Sequence, residues 1–406
     1  MNIFRLLDFK PKMKDFAAEF LRGLANAGLT GWTLGPEGDS LIHPRGEVFN
    51  LPNLHRRYVN TRRADRSAIL RSYIEIAANT SREIPRDWAG AAPGIYAAVR
   101  SRYSLAGLEI IHRATSNPWP ASVIWPLFGD LHVSLVYDFG AHVSNVKEET
   151  MQTWGQPIAL VRQRAMDNLS ALPAPAWDSI GAGVYQLKSH ASYEESFLLV
   201  DHAVDALPFK NSLVAIAPNR GVLLATDGKS EASLAAMLEE ALHCLQNKPW
   251  PMSATLCTRA NGEWHEFLPA GDAAKHAHKL HTINVGAFYE DQKKSLEKHH
   301  ESIGHDVFVA SFGVIEKDGE YVSWCTWPEG VLTLLPKTDV IALVRPEQKA
   351  VPERLMMDWD IVARIAGHRM KPTTENPTRF LLDTFPNAGE WAALLAEAAR
   401  SPGKLE

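Results

Sequence analysis

The densest concentration of chemically versatile side chains is a run of histidines. His276, His278, His281, His299, His300 and His305 are six of the 16 histidines in the chain. Zinc takes three or four ligands converging on one point, commonly two of them a helical turn apart, and His278 and His281 have that spacing. No cysteine or close carboxylate completes the set, and Lys275, Lys279, Lys293 and Lys294 make the neighbourhood cationic. A solvated helix face accounts for the run better than a metal centre does, and the metal question stays open. Asp339 with Glu347-Gln348-Lys349 resembles the acidic pair and lysine of metal-dependent nucleases, whose E-x-K sits on a strand so that both side chains face one cation. Pro346 and Pro352 bracket the triplet and favour a loop. The segment ending in Gly228-Lys229-Ser230 has six residues, not four, after Gly221, so it reads as a turn and a helix cap instead of a phosphate loop. Neither the G-x-S-x-G of a nucleophile elbow nor H-E-x-x-H occurs. No catalytic residue and no cofactor follow from these patterns.

Charge gives a firmer signal. Arg56, Arg57, Arg62, Arg63, Arg66 and Arg71 meet one acidic residue, Asp65, within their stretch, although the chain has a formal net charge of −5. Such a patch suits an acidic protein surface, a phosphate group or a nucleic-acid backbone; the plain alternative is an exposed helix face paired with acids elsewhere. Asp138 at a strand end, together with Asn219 and Arg220 on a proline turn, are the best-placed polar residues outside it. Arg56, Arg57, Arg62, Arg63, Arg66, Asp138, Asn219 and Arg220 are therefore the candidate binding residues.

The elements that must position these groups follow from periodicity. Met13, Phe16, Phe20 and Leu24 mark a helix ending at Gly28, three short strands follow to Leu51, and Asp65 caps a helix carrying Ile69, Tyr73 and Ile76. Residues 1–80 thus predict a helix–meander–helix unit, and the Pro-, Gly- and Trp-rich residues 81–126 a connector with one or two short helices. In 127–270, Leu131, Val133, Leu135 and Tyr137 alternate with His132, Ser134, Val136 and Asp138, as in a half-buried strand. Helices are expected over 147–154, 157–172, 193–207 and 231–245, with strands near 184–187, 212–217 and 222–226 and a hairpin through Asn261-Gly262. Residues 271–406 begin with a helical stretch to about 302. Two hairpins follow, the second pairing Val331–Leu335 with Val340–Val344, and helices close the chain. That second hairpin resembles the one around Pro218, which raises an internal duplication; similar turn chemistry is the simpler account. The expected class is α+β, with two mixed units and largely antiparallel sheets after the N-terminal one.

Length and composition agree. At 406 residues, 46% hydrophobic and 22% charged, the chain can bury two or three cores and is neither disordered nor low-complexity. Twelve tryptophans run from Trp32 to Trp391 and read as core or interface anchors. Trp324 and Trp327, three apart on a strand, must face opposite sides. Cys244, Cys257 and Cys325 show no C-x-x-C spacing, and no apolar run reaches membrane-spanning length. The N-terminal charges do not fit a secretory signal, so a cytoplasmic protein is expected.

Residues about 127–268 resemble the bacterial YtpQ-like family, whose members have no established function. The resemblance lies in Gly129-Asp130-Leu-His-Val-Ser-Leu-Val-Tyr137-Asp138, Ala165-Met-Asp-Asn168-Leu169, Tyr193-Glu-Glu-Ser-Phe-Leu-Leu and Val214-Ala-Ile-Ala-Pro218-Asn219-Arg220-Gly221. The N-terminal unit is similar to that family's start, and the residues beyond 270 look like an extension. Gly221 stands where an acidic residue is expected. The resemblance implies mixed α and β units and no chemistry. Together these readings point to a non-catalytic binding or adaptor protein with a protein partner, and homo-oligomerisation is compatible with them. A metal-dependent hydrolase or nuclease, or a nucleic-acid binder working through the arginines, is the alternative.

Overall fold

The computed structural model describes residues 10–35, 38–44, 48–79, 82–114, 121–140, 142–189, 193–209, 211–317, 319–346 and 353–400. The fold is α+β throughout. In the N-terminal unit, α1 (Met13–Asn26) buries Phe16, Phe20 and Leu24 completely, the stripe that its spacing predicts. Strands β1 (Thr33–Leu34), β2 (Ser40–Ile42) and β3 (Val48–Asn50) form the meander. A helix that the spacing does not announce, α2 (Leu51–Asn60), follows directly. Asn50 caps it by accepting from the Asn53 amide, and Pro52 lies in its first turn. Helix α3 (Arg66–Asn79) closes the unit around Tyr58 and Tyr73.

The 81–126 stretch is not a connector. After α4 (Trp88–Ala91) it supplies β4 (Ile95–Ser101), α5 (Arg102–Ala114) and β5 (Ile124–Phe128). Strands β4 and β5 flank β6 (Leu131–Asp138) antiparallel, and β7 (Val143–Asn145) pairs with the end of β6. Its Asn117–Pro120 segment lies outside the described residues. After α6 (Glu148–Thr153), α7 (Ile158–Ser170) packs Val161, Ala165 and Leu169 into the core beside β4. A six-stranded antiparallel sheet follows. It contains β8 (Ala176–Gly181), β9 (Val184–Lys188), β10 (Leu213–Ile216), β11 (Leu224–Asp227), β12 (Cys257–Ala260) and β13 (Glu263–Glu266), in the order β13-β12-β10-β11-β9-β8. The expected helix over 193–207 is broken into a 3₁₀ stretch, Glu194–Leu199, and α8 (Asp201–Asp205). Glu195, Ser196, Phe197 and Leu198 are buried in succession, so the segment is packed on all sides. Helix α9 (Glu231–Asn247) is capped by Ser230, as the glycine–lysine–serine turn suggests.

Helix α10 (Gly271–Ser302) leads into the C-terminal unit and lies against α5, α9 and the later strand β16 (Glu320–Pro328). That unit holds two four-stranded sheets. One joins β14 (Phe308–Val309), β17 (Thr333–Pro336), β20 (Lys371–Pro372) and β21 (Arg379–Leu382). The other joins β15 (Gly313–Lys317), β16, β18 (Val340–Arg345) and β19 (Glu353–Asp358), with α11 (Trp359–Ala366) and α12 (Ala388–Arg400) packed on the core. The expected hairpin of 331–344 is overturned: β17 and β18 belong to different sheets, and β18 runs parallel to β16. Asp339 causes this by accepting from the Ser323 amide and hydroxyl, which fastens the start of β18 to β16. The likeness to the β10–β11 hairpin is therefore confined to turn chemistry. Trp327 is buried and Trp324 half-buried, on opposite faces as expected. No described helix is long and apolar enough to cross a membrane.

The C-terminal unit is pinned to α10 by Arg379, which is fully buried. Its guanidinium donates to Gln292 Oε1 at 2.6 Å, to the carbonyls of Ala310 at 2.8 Å and Leu334 at 3.2 Å, and to that of Tyr289 at 3.0 Å. Removing the fork strands several buried acceptors at once, each worth about 1–3 kcal/mol when left unmet. We expect Arg379→Met to lose about 3 kcal/mol or more. Urea unfolding of the two proteins checks this, and a difference below about 0.5 kcal/mol would refute the assignment.

Candidate functional site

The site is built on the polar register of β6. Residues directly opposite one another on paired strands share a face, so Tyr96, Ala98 and Arg100 of β4 lie on one side with Val136, Ser134 and His132 of β6. The alternation in β6 is as expected, but its polar side is not solvated. His132 and Ser134 are buried, as are Val133 and Leu135 on the opposite face. What covers the polar side is the 3₁₀ stretch and the turn before β11. Glu195, completely buried, accepts from Arg100 Nη1 at 2.7 Å and from the Gly221 amide at 2.8 Å. Ser196 Oγ accepts from the Val99 amide at 3.0 Å. His132 Nε2 shares a 2.9 Å hydrogen bond with Ser134 Oγ.

This polar row has two ends. At one, Tyr193 donates to Asp138 at 2.9 Å and stacks on Tyr96. At the other, Asp130, just before β6, is buried, and its Oδ1 accepts from the hydroxyls of Ser253 and Thr255. Its Oδ2 has no hydrogen-bond partner. Burial, opposed by those two hydroxyls, raises the Asp130 carboxyl above the usual range.

Asp130 opens onto a cleft between the central and C-terminal units. Two cavities, of about 540 and 560 Å³, share Tyr103, His278, His281 and Asn376 and so form one trough beside α10. Arg102, Glu266 and Phe267 line the first; Lys337, Asp339 and Phe380 line the second. Burial alone would raise Asp339. His278 and the Ser323 hydroxyl and amide overcome it, and they hold the carboxyl well below the usual range. Ser323 is buried and donates to Asp339 Oδ2, the same oxygen that His278 approaches at 3.4 Å, so the serine is bonded to the carboxylate and not to the histidine, unlike the order of a nucleophilic triad. Among the described residues no three His, Cys, Asp or Glu side chains are grouped to hold a metal ion. Glu347 lies outside those residues.

The residues singled out from sequence divide into different roles. Asn219 is fully buried, and its Nδ2 donates to the carbonyls of Lys248 and Pro249. Arg56 donates to the same Lys248 carbonyl and so joins the N-terminal unit to the central one, whereas Asn219 holds a turn within the central unit. Arg66 is buried, donates to the Val59 carbonyl and lies over the Tyr58 ring. Arg57, Arg62, Arg63 and Arg71 are exposed, with Arg62 ion-paired to Asp65 at 3.0 Å. Arg220 is exposed and lies over Trp250. The charge of nearby Arg100 lowers the Arg220 guanidinium, which stays cationic at neutral pH. Arg100, Glu195 and Arg102 were missed. The one visible signal was an arginine inside the apolar run Ile95–Ser101, in a stretch whose prolines and glycines suggested a connector. No protein-family model matches this chain, and no significant similarity to a curated protein or a solved structure is found.

Burial, then the charges of Arg100 and Arg102, lowers His132 to about 4. A base whose folded pKa lies below its unfolded value takes up protons on unfolding, so stability falls as pH drops from about 6.5 towards 4. We expect that fall to be roughly 2 kcal/mol for this group. Urea unfolding at several pH values should show a flatter profile for His132→Asn in that window; an unchanged slope would rule the histidine out as its source.

Proposed function

We propose that this chain is a non-catalytic binding protein that receives a segment of a partner protein in the cleft beside α10. The observation that carries the reading is the continuity of the trough. It spans the boundary between two units and sets apolar side chains such as Phe267 and Phe380 beside charged ones of both signs. Such a mixture suits a chain segment with its own side chains and backbone donors. The chemistry of the named groups adds support: the best-placed hydroxyl, Ser323, is tied to a carboxylate and buried. We retain the likeness to YtpQ-like proteins as part of the proposal, resting on the residues that carry it. The proposal is for a cytoplasmic protein, in keeping with three buried, unpaired thiols.

A second reading, engagement of a polyanion or an acidic protein surface, has the exposure of Arg57, Arg62, Arg63 and Arg71 in its favour. One experiment separates the two. His281 lines both cavities and is exposed, so His281→Trp narrows the trough with little cost to the fold. A partner identified by co-purification with the full chain should bind at least tenfold more weakly to His281→Trp, and about equally well to the Arg62→Ala, Arg63→Ala double variant. The reverse pattern would assign binding to the arginine face and refute the cleft.

A further inference from the structure

We propose that the Asp130 end of the cleft receives the cationic head of a lysine or arginine side chain on the bound segment. This rests on the cleft reading and specifies the chemistry the cleft selects. Asp130 is 8% exposed, and it lines the first cavity with one carboxyl oxygen saturated by two hydroxyls and the other unpartnered. A buried carboxyl oxygen without a donor is a standing penalty; because that oxygen is itself covered, a cationic head in the cavity offsets the penalty first through its charge and reaches the oxygen only as the wall yields.

A second carboxyl stands beside it. Gly129 has φ +51°, and a Cβ there would come within 2.7 Å of Glu266 Oε1, so the Glu266 head lies against the backbone that leads into Asp130. Arg102 supplies the cation on this wall, and its amide donates to the Asp130 carbonyl. Two carboxyls against one guanidinium leave an acid in excess, which matches a guest carrying a single positive charge. An anionic guest would meet both carboxyls. A divalent cation would need a third oxygen or nitrogen ligand, and no such group of His, Cys, Asp or Glu occurs among the described residues. The apolar wall of Leu256 and Phe267 suits the aliphatic stem that carries a lysine or arginine head.

The test uses the full chain and three probes: N-acetyl-lysine amide, N-acetyl-arginine amide and the uncharged N-acetyl-norleucine amide, followed by ligand-observed NMR titration. The charged probes should bind at least tenfold more tightly than the norleucine probe. Asp130→Asn should remove that preference and Glu266→Gln should reduce it about threefold, whereas Glu263→Gln, on the same strand but outside the cavity, should leave it intact. Glu266 is exposed, so its variant reports on charge even if the Asp130 variant folds poorly. Equal binding of all three probes, or an unchanged preference in both Asp130→Asn and Glu266→Gln, would overturn the assignment. Partner binding separates this failure from failure of the cleft reading. Loss in His281→Trp with retention in the two acid variants refutes the cationic guest alone, and retention in all three refutes the cleft.

Discussion

The ion pair between Arg100 and Glu195 is the constraint around which the central unit is arranged. Its carboxylate is completely buried and uses both oxygens, one on the guanidinium and one on the Gly221 amide. Desolvating two charges costs several kcal/mol, so such a pair adds little net stability but makes any alternative that separates it expensive. Here it joins three places distant in sequence: β4, the 3₁₀ stretch and the turn before β11. It also fixes register, because a slip of one residue would turn Arg100 onto the apolar face where Val99 and Val133 pack.

The consequence is a strand, β6, buried on both sides, one side apolar and one polar. The polar side works because most of its side chains find a partner: Glu195 for Arg100, Ser134 for His132, Tyr193 for Asp138; Ser196 meets the backbone edge of β4 at the Val99 amide. Two atoms of the row stay unmet, His132 Nδ1 within it and Asp130 Oδ2 at its cleft end, and of the two residues only Asp130 lines the cavity. Neutral His132 follows from the same arrangement: burial lowers it first, and the charges of Arg100 and Arg102 add to that.

What the sequence made legible was whatever is local. The α1 stripe, the meander, the Ser230 cap and the alternation of β6 depend on spacing of a few residues, and each was readable. The identity of the covering layer was not, because β6 looks the same whether water or Glu195 and Ser196 meet its polar face. Strand β4 was hidden by its flanks, Pro93-Gly94 and the Pro-rich segment beyond α5 biasing the stretch towards a connector. The fate of β18 turned on a long-range pair, Ser323 with Asp339, which no turn rule anticipates. Asp138 and Arg220 stand out in the sequence because they sit at a strand end and a turn, and neither lines the cleft. Asp130 lay within the motif that carries the family resemblance but stood out only once its unpartnered oxygen could be seen.

The two carboxyls of the cleft show why recognition should concentrate at one end of it. Asp339 is held low because Ser323 and His278 satisfy it within the fold, so a guest gains little by displacing them. Asp130 is held high because it is buried with half its capacity unused. Each acid takes its donors on one oxygen, Asp339 from Ser323 and His278 on Oδ2 and Asp130 from two hydroxyls on Oδ1. They differ in what those donors achieve: Asp339 stays partly exposed and is held low, whereas Asp130 is buried and held high with Oδ2 unmet. On the proposed reading a guest arriving along α10 therefore gains more beside Arg102 than beside Lys337, because a cation there offsets a burial that the fold leaves uncompensated.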